Sequence, residues 1–540
     1  MAQRWAKRLR PPAARVALFC SALAPASIWL IAPGALAKPW ATMLWCLVCA
    51  ALLAALPLRR LRLVAYLSAL ALPWTCAWIA TVAITGMGPS NAMMASATEG
   101  AFKEVLIGMG MALSTPAFLF SAGLTLATLV WAFRATRQAQ ARVSHAVGIV
   151  FLCLLVPSSA AVLDGANFLS FSQIIGPEAR IAVPWLSHLG MVKEALAVRL
   201  ARAAFGEVSS KGELSLRSAS SATRQFEAMQ GLGVLVIGES LRADAFLGPT
   251  SGPWSQALAL RLRAGLGVHL PDACAGSNGT FASMPRLLTG VDVADVHGAA
   301  QNPTLLALAK AAGAKTAYIN NHEIWVLPEA GHDLLQKTSS MEFNAYDEVA
   351  VEALSDFIKR TGPGPKAAVL HLYGQHFYYQ DRYPARLFPP EPPGLDADAL
   401  LQLRYARSVE FTVRVLLQAA TVLDAQKEPA FLVFTSDHGE NLPSDKTGKH
   451  FHSGPSSGTH DTTVPSLVLW NRAFADSGKP ALLDELVKAR GLIAHRDLAK
   501  AWLALMGMPG KVVATEHPST WGARVPGDQL GAISCTSLSP

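Results

Sequence analysis

Long apolar stretches crowd the first third of the chain and then stop. Five of them, at 16–36, 40–56, 63–85, 113–133 and 143–163, each approach the roughly 20 residues that carry a helix across a bilayer. Residues 1–165 therefore read as a transmembrane domain of five helices. The first run, preceded by basic residues and ending in "PGALA", also has the look of a secretory signal, but four further spans argue against a merely removable segment. Residues 166–228 mix short apolar stretches with the serine-rich "KGELSLRSASSATRQ", which predicts a bridging helix and a linker. From 229 to 540 the pattern changes again. Apolar runs of strand length alternate with Ala- and Leu-rich helical segments, predicting an α/β domain with a mainly parallel central sheet.

The expected strands are 233–238, 315–320, 367–373, 430–436 and 464–470. Four of them run straight into polar clusters: Glu239-Ser240, Asn320-Asn321-His322, the "GQH" ending at His376, and Asp437-His438. Ligands of open parallel sheets bind outside the carboxyl ends of strands, so these clusters are expected to converge on one site. Carboxylate and imidazole are both good zinc ligands, and a metal is an economical way to hold acids at the end of a buried sheet. Glu239, Asp437 and His438 are the candidate ligands.

Charge adds orientation. The N-terminal tail with Arg4, Lys7, Arg8, Arg10 and Arg15, the turn with Arg59, Arg60 and Arg62, and the turn with Arg134, Arg137 and Arg142 alternate with loops holding only Lys38 or Lys103. Positive residues stay cytoplasmic, so an odd number of spans delivers the α/β domain to the far side, in a bacterium the periplasm. The net charge of +8 reflects this topology rather than nucleic-acid binding. Hydrophobic residues make up 51% of the 540, and the mean hydropathy of +0.30 excludes an ordinary soluble enzyme. Of seven cysteines, only Cys274 and Cys535 fall on the exported side, where they are available for one disulfide. The CxxC spacing of Cys46 and Cys49 falls inside an apolar run and does not suggest a thiolate zinc site.

Four motifs then occur in an order that resembles one family. "VLVIGES" followed by Arg242, "TFASMP", "HLYGQHFYYQDRYP" and "SDHGENL" are similar to the motifs of the membrane-anchored phosphoethanolamine transferases, which modify lipid A and related envelope glycans within the alkaline phosphatase and sulfatase superfamily. The resemblance implies an alkaline phosphatase/sulfatase-like exported domain and an inner-membrane location. It makes Glu239, Asp437 and His438 ligands of Zn2+, Thr280 both nucleophile and fourth ligand, and His376 a contact for the substrate phosphate. It further implies phosphatidylethanolamine as donor and a zinc-activated threonine intermediate, chemistry that suits a hydroxyl beside a metal. Read by itself, a threonine in "NGTFAS" is equally a helix cap.

The family places a histidine about a dozen residues after its Asp-His pair, and "KHFHSGPSSGTH" offers His450, His452 and His460. His450 and His452 are the catalytic candidates, against the reading of a solvated histidine-rich loop. Where the family carries a cysteine after the motif proline, this chain has Arg286, and the "NNH" segment lacks the Lys and paired cysteines found in close members. The loop between the third and fourth spans, with Thr98, Glu99 and Glu104, resembles an acidic interfacial stretch of the family and reads equally as an ordinary interfacial helix. Two other functions stay open. A membrane-anchored sulfatase or phosphoglycerol transferase would use Ser283 or manganese, and a catalytically degenerate member would bind envelope glycans without turnover.

Overall fold

The computed structural model describes residues 110–136, 228–247, 252–291, 302–322, 332–338, 345–446, 450–452 and 458–508, with isolated positions between 16 and 84. The expected runs at 40–56 and 143–163, nearly all of the 166–228 section, the stretch with Thr98, Glu99 and Glu104, and Cys535 lie outside the described residues.

Helix α1 (Pro116–Thr136) falls on the fourth apolar run. Among the described residues it is the one helix long and apolar enough to cross a membrane, over Pro116–Arg134. Leu119, Phe120, Leu126 and Trp131 are exposed along it, an arrangement suited to lipid rather than water. Arg134 closes its last turn.

The α/β domain begins with β1 (Leu232–Gly238), followed by α2 (Pro253–Arg263), β2 (Gly267–His269) and β3 (Ala273–Cys274). Then come α3 (Thr280–Thr289), α4 (Leu305–Ala311), β4 (Lys315–Asn320), β5 (Leu334–Lys337), α5 (Glu348–Thr361) and β6 (Lys366–His371). The long α6 (Ala397–Asp424) leads to β7 (Ala430–Ser436), β8 (Thr463–Val464), β9 (Ser466–Trp470), β10 (Ile493–Ala494) and α7 (His495–Leu505).

Seven strands form the main sheet in the order β2-β9-β7-β1-β6-β4-β5. Strand β1 is central, pairing in parallel with β6 on one side and β7 on the other, and β4 continues the parallel ladder beyond β6. The expected mainly parallel sheet is thus mixed at one edge, where β9 runs antiparallel to β7 and β2 antiparallel to β9. The expected single strand 464–470 divides at Pro465, which has no N–H for a ladder. Its first half joins a small second sheet, β10-β3-β8. In that sheet Cys274 is disulfide-bonded, and Cys20 and Cys76 are free, so its partner lies outside the described residues.

Alternation along β1 builds two cores. Val234 and Val236 pack with Leu354 and Phe357 of α5 and Phe411 and Leu416 of α6, while Leu235 and Ile237 pack with Met284 of α3, Leu305 of α4 and Trp502 of α7. Every residue of β1 and β7 is buried, as expected for strands covered by helices on both faces. Trp502 is fully buried, and its truncation to Ala would cost about 3–5 kcal/mol. This rigid sandwich fixes the strand ends, and with them the polar clusters.

Candidate metal and nucleophile site

Adjacent strands β7 and β1 end side by side, Gly238 opposite Ser436, so the next residues of each chain segment meet. Glu239, Asp437 and His438 are all completely buried there. Ser240 adopts φ 57°, unusual for a side-chain-bearing residue, and its hydroxyl donates to Glu239 Oε1 at 2.8 Å while its N–H reaches Asp437 Oδ1 at 3.3 Å. From the neighbouring β6 side, Gln375 N–H donates to the Glu239 carbonyl at 2.8 Å. Gly374, at φ 49°, lets that segment approach, since a Cβ on it would stand 2.7 Å from the Glu239 nitrogen.

Thr280 is the first residue of α3, with Gly279 at the cap position and no side-chain cap bond. Its hydroxyl is therefore not spent on capping. Thr280 Oγ1 donates to Glu239 Oε2 at 3.0 Å and lies 3.2 Å from His438 Nε2. His438 Nδ1 donates to the Gly439 carbonyl at 2.8 Å, which turns Nε2 toward Glu239 Oε1 at 3.3 Å and Asp437 Oδ2 at 3.4 Å. Ser283, one turn along α3, faces elsewhere. Its hydroxyl donates to the Asp437 carbonyl at 2.5 Å.

The electrostatics of this cluster call for a cation. Burial and the Glu239 charge push the Asp437 carboxyl up to about 7. Burial alone would lower His438, but the Asp437 and Glu239 carboxylates outweigh it and push the imidazole up to about 10. Burial would raise Glu239, yet His438 and His322 hold it well below the usual carboxylate range. One Asp437 oxygen, Oδ2, is buried with no hydrogen-bond partner. Two carboxylates, an imidazole with its distal nitrogen turned inward and a hydroxyl make an oxygen- and nitrogen-donor set whose chemistry fits a divalent metal ion such as zinc.

The other expected residues separate. His452 approaches the site, its ring centroid 4.1 Å from that of His438 and its Nδ1 3.1 Å from Glu440 Oε1. His450 turns away, with Nδ1 3.2 Å from the carbonyl of Ile84. His460 accepts from Arg242 Nη2 at 2.8 Å and lies near Asp244 and Asp445, away from the metal donors. His376 stands edge-on to His322 at 5.3 Å and to Tyr373 at 5.1 Å, and burial holds its imidazole well below the ordinary range, hence neutral at pH 7.

Three further buried groups at the site were not among the expected ligands or catalytic residues: His322, His371 and Glu440. His322 Nε2 lies 3.3 Å from Glu239 Oε2, and Glu440 Oε2 accepts from the Tyr379 hydroxyl at 3.1 Å. For His322 the strand-end position was the available signal. His371 opens the motif "HLYGQHFYYQDRYP", in which only His376 was expected to act.

A buried hydroxyl at a helix start, facing a carboxylate and imidazole cluster at the carboxyl ends of a parallel sheet, is the arrangement that a metal site with an oxygen nucleophile requires. The chain belongs to the sulfatase family, whose profile matches residues 232–508, just over half of the 540. It is 25% identical over 226 residues to phosphoethanolamine transferase EptC of Escherichia coli O18:K1:H7 (strain RS218 / NMEC), 38% of each chain. It is 28% identical over 169 residues to phosphoethanolamine transferase EptA of Helicobacter pylori (strain ATCC 700392 / 26695), 30% of each. The chain thus matches under two fifths of the length of these curated relatives. The fold as a whole is similar to the integral membrane protein lipooligosaccharide phosphoethanolamine transferase A (EptA) from Neisseria meningitidis, with a TM-score of 0.62 at 17% identity over 96% of this chain and 98% of that one.

Proposed function

We propose that this protein transfers phosphoethanolamine from phosphatidylethanolamine to a cell-envelope acceptor, lipid A or a related glycan, by way of a covalent adduct on Thr280. The observation that carries the reading is the Thr280 hydroxyl, buried between Glu239 and His438 in a chain similar over part of its length to curated phosphoethanolamine transferases. Glu239, Asp437, His438 and Thr280 would hold zinc, and a bound zinc ion supplies positive charge beside the hydroxyl and the phosphoryl oxygens.

In the first half-reaction Thr280 Oγ forms a bond to phosphorus as the bond to the diacylglycerol oxygen breaks. The threonine proton, held toward Glu239, ends on the departing diacylglycerol. In the second, an acceptor oxygen attacks the adduct, its bond to phosphorus replaces that of Thr280, and the threonine regains a proton. His376, kept neutral by burial, and His452, oriented by Glu440, are the groups suited to move these protons.

The proposal gives the chain three parts: a five-helix domain over 1–165 in the inner membrane, a bridging section over 166–228 and a catalytic domain over 229–540 exported to the periplasm. Support comes from α1, with its exposed apolar side chains. It comes also from contacts of Tyr378 with Met111 and of His450 with Ile84, which join loops beside the site to the N-terminal region and so to the lipid donor. A sulfatase chemistry at Ser283 fits less well, because that hydroxyl is engaged with the Asp437 carbonyl. A non-catalytic binder would leave the convergence of two carboxylates and an imidazole on a buried hydroxyl without a purpose.

Zinc-loaded full-length protein in vesicles of phosphatidylethanolamine should release diacylglycerol, and envelope lipids or glycans of cells making it should gain the mass of phosphoethanolamine. The absence of both products would overturn the reading.

A further inference from the structure

The strand order β7-β1-β6-β4 places Glu239 at the middle of the row of strand ends. On its β7 side stand Asp437 and His438. On its other side stand His371, the last residue of β6, and His322, two residues beyond Asn320, which is itself paired with His371 in the ladder. Glu239 is thus shared: Oε1 lies 3.3 Å from His438 Nε2, and Oε2 lies 3.3 Å from His322 Nε2.

We infer that Glu239, His322 and His371 form a second divalent-cation site, distinct from the Asp437–His438 set and bridged to it by the Glu239 carboxylate. Each of the three offers a ligand atom, and those atoms lie within 4.8 Å of one another. All three side chains are completely buried. His371 supplies an independent pointer to a ligand, because both of its ring nitrogens are buried without a hydrogen-bond partner. An imidazole in that position gains nothing over a leucine unless something binds it. Its ring stacks on His322 with centroids 4.7 Å apart and planes 12° apart, so the two imidazoles present themselves together beside the carboxylate.

Two imidazole nitrogens and one carboxylate oxygen suit zinc or another late first-row divalent ion, and not calcium or magnesium, which take oxygen ligands. A tetrahedral zinc with bonds near 2.1 Å separates its ligand atoms by about 3.4 Å, so small side-chain adjustments close the site. Three protein ligands leave one coordination position free. The inference does not rest on phosphoethanolamine transfer, since zinc alone is the probe.

Crystals of the full-length protein, stripped with chelator and soaked in zinc, should give two anomalous peaks at the zinc edge, one within bonding distance of Asp437 and His438 and one within bonding distance of His322 and His371. In solution, bound zinc measured against a chromophoric chelator should fall by one equivalent per chain in His371→Leu and in His322→Ser, while the equivalent lost in Asp437→Ala remains in both. A filled Asp437–His438 site with no density at His322 and His371 would overturn the inference. So would unchanged stoichiometry in folded His371→Leu; if that variant does not fold, the anomalous map on the wild-type chain decides.

Discussion

His495 donates its Nε2–H to the carbonyl of Ser436 across 2.9 Å, tying the first residue of α7 to the strand end that carries Asp437. Its Nδ1 accepts from the Gly276 N–H at 3.3 Å, so the same ring also braces the loop that leads into Thr280. Acceptance at Nδ1 requires the neutral ring, protonated on Nε2. Burial, opposed only in part by the Ser436 bond, pushes the imidazole down to about 4. In the unfolded chain it titrates near 6.5, so between about pH 6.5 and 4 the unfolded state binds more protons and folding stability falls with pH. The melting temperature of the full-length protein should drop across that window. His495→Gln, which carries no charge at any pH, should melt lower at pH 8 and show a shallower acid decline. Parallel profiles would remove His495 from the account.

The sequence made some of this site legible and hid the rest for physical reasons. Glu239, Asp437 and His438 stand out because a polar residue directly after a buried strand violates the apolar pattern. Thr280 needed its motif, since "NGTF" alone is also a cap, and the structure shows Gly279 taking the cap position. His322 and His371 meet only because β6 lies between β1 and β4, and strand adjacency is not written in spacing. The antiparallel run of β9 was hidden for a similar reason, because "SLVLW" reads the same in either direction. His495 comes from a segment 58 residues beyond Asp437 with no motif around it.

Topology is testable without the catalytic site. The basic turns alternate along the first 165 residues, and Arg134 at the end of α1 belongs to one of them. A reporter active only in the periplasm should work when fused after Ser170. Activity of a cytoplasm-only reporter at that junction would reject the five-span arrangement.

The two neighbouring histidines of the 450–452 loop should behave differently. His452 stands beside His438 and is oriented by Glu440, whereas His450 faces the Ile84 carbonyl. Removing a proton-transfer group typically costs about 10²-fold or more in rate, so His452→Ala should slow turnover by that order while the zinc held by Asp437 and His438 remains. His450→Ala should stay within about two-fold of wild type, a loss far below that expected of a proton-transfer group. Steady-state rates with metal analysis on the same samples check both, and equal losses in the two variants would contradict the assignment.

The nucleophile is the sharpest discrimination, because Thr280 and Ser283 lie within one turn of α3 and both carry a hydroxyl. Only one of those hydroxyls is free to attack. Thr280 Oγ1 points into the carboxylate and imidazole cluster, whereas Ser283 Oγ is a structural tie whose proton goes to the Asp437 carbonyl. Thr280→Ala should therefore abolish covalent labelling by a phosphatidylethanolamine donor and leave the fold intact. Ser283→Ala loses one buried hydrogen bond, worth about 1 kcal/mol of stability, and should still form the adduct. Peptide mass spectrometry after incubation with donor locates the added phosphoethanolamine. An adduct on Ser283, or full activity in Thr280→Ala, would shift the chemistry to the sulfatase-like alternative.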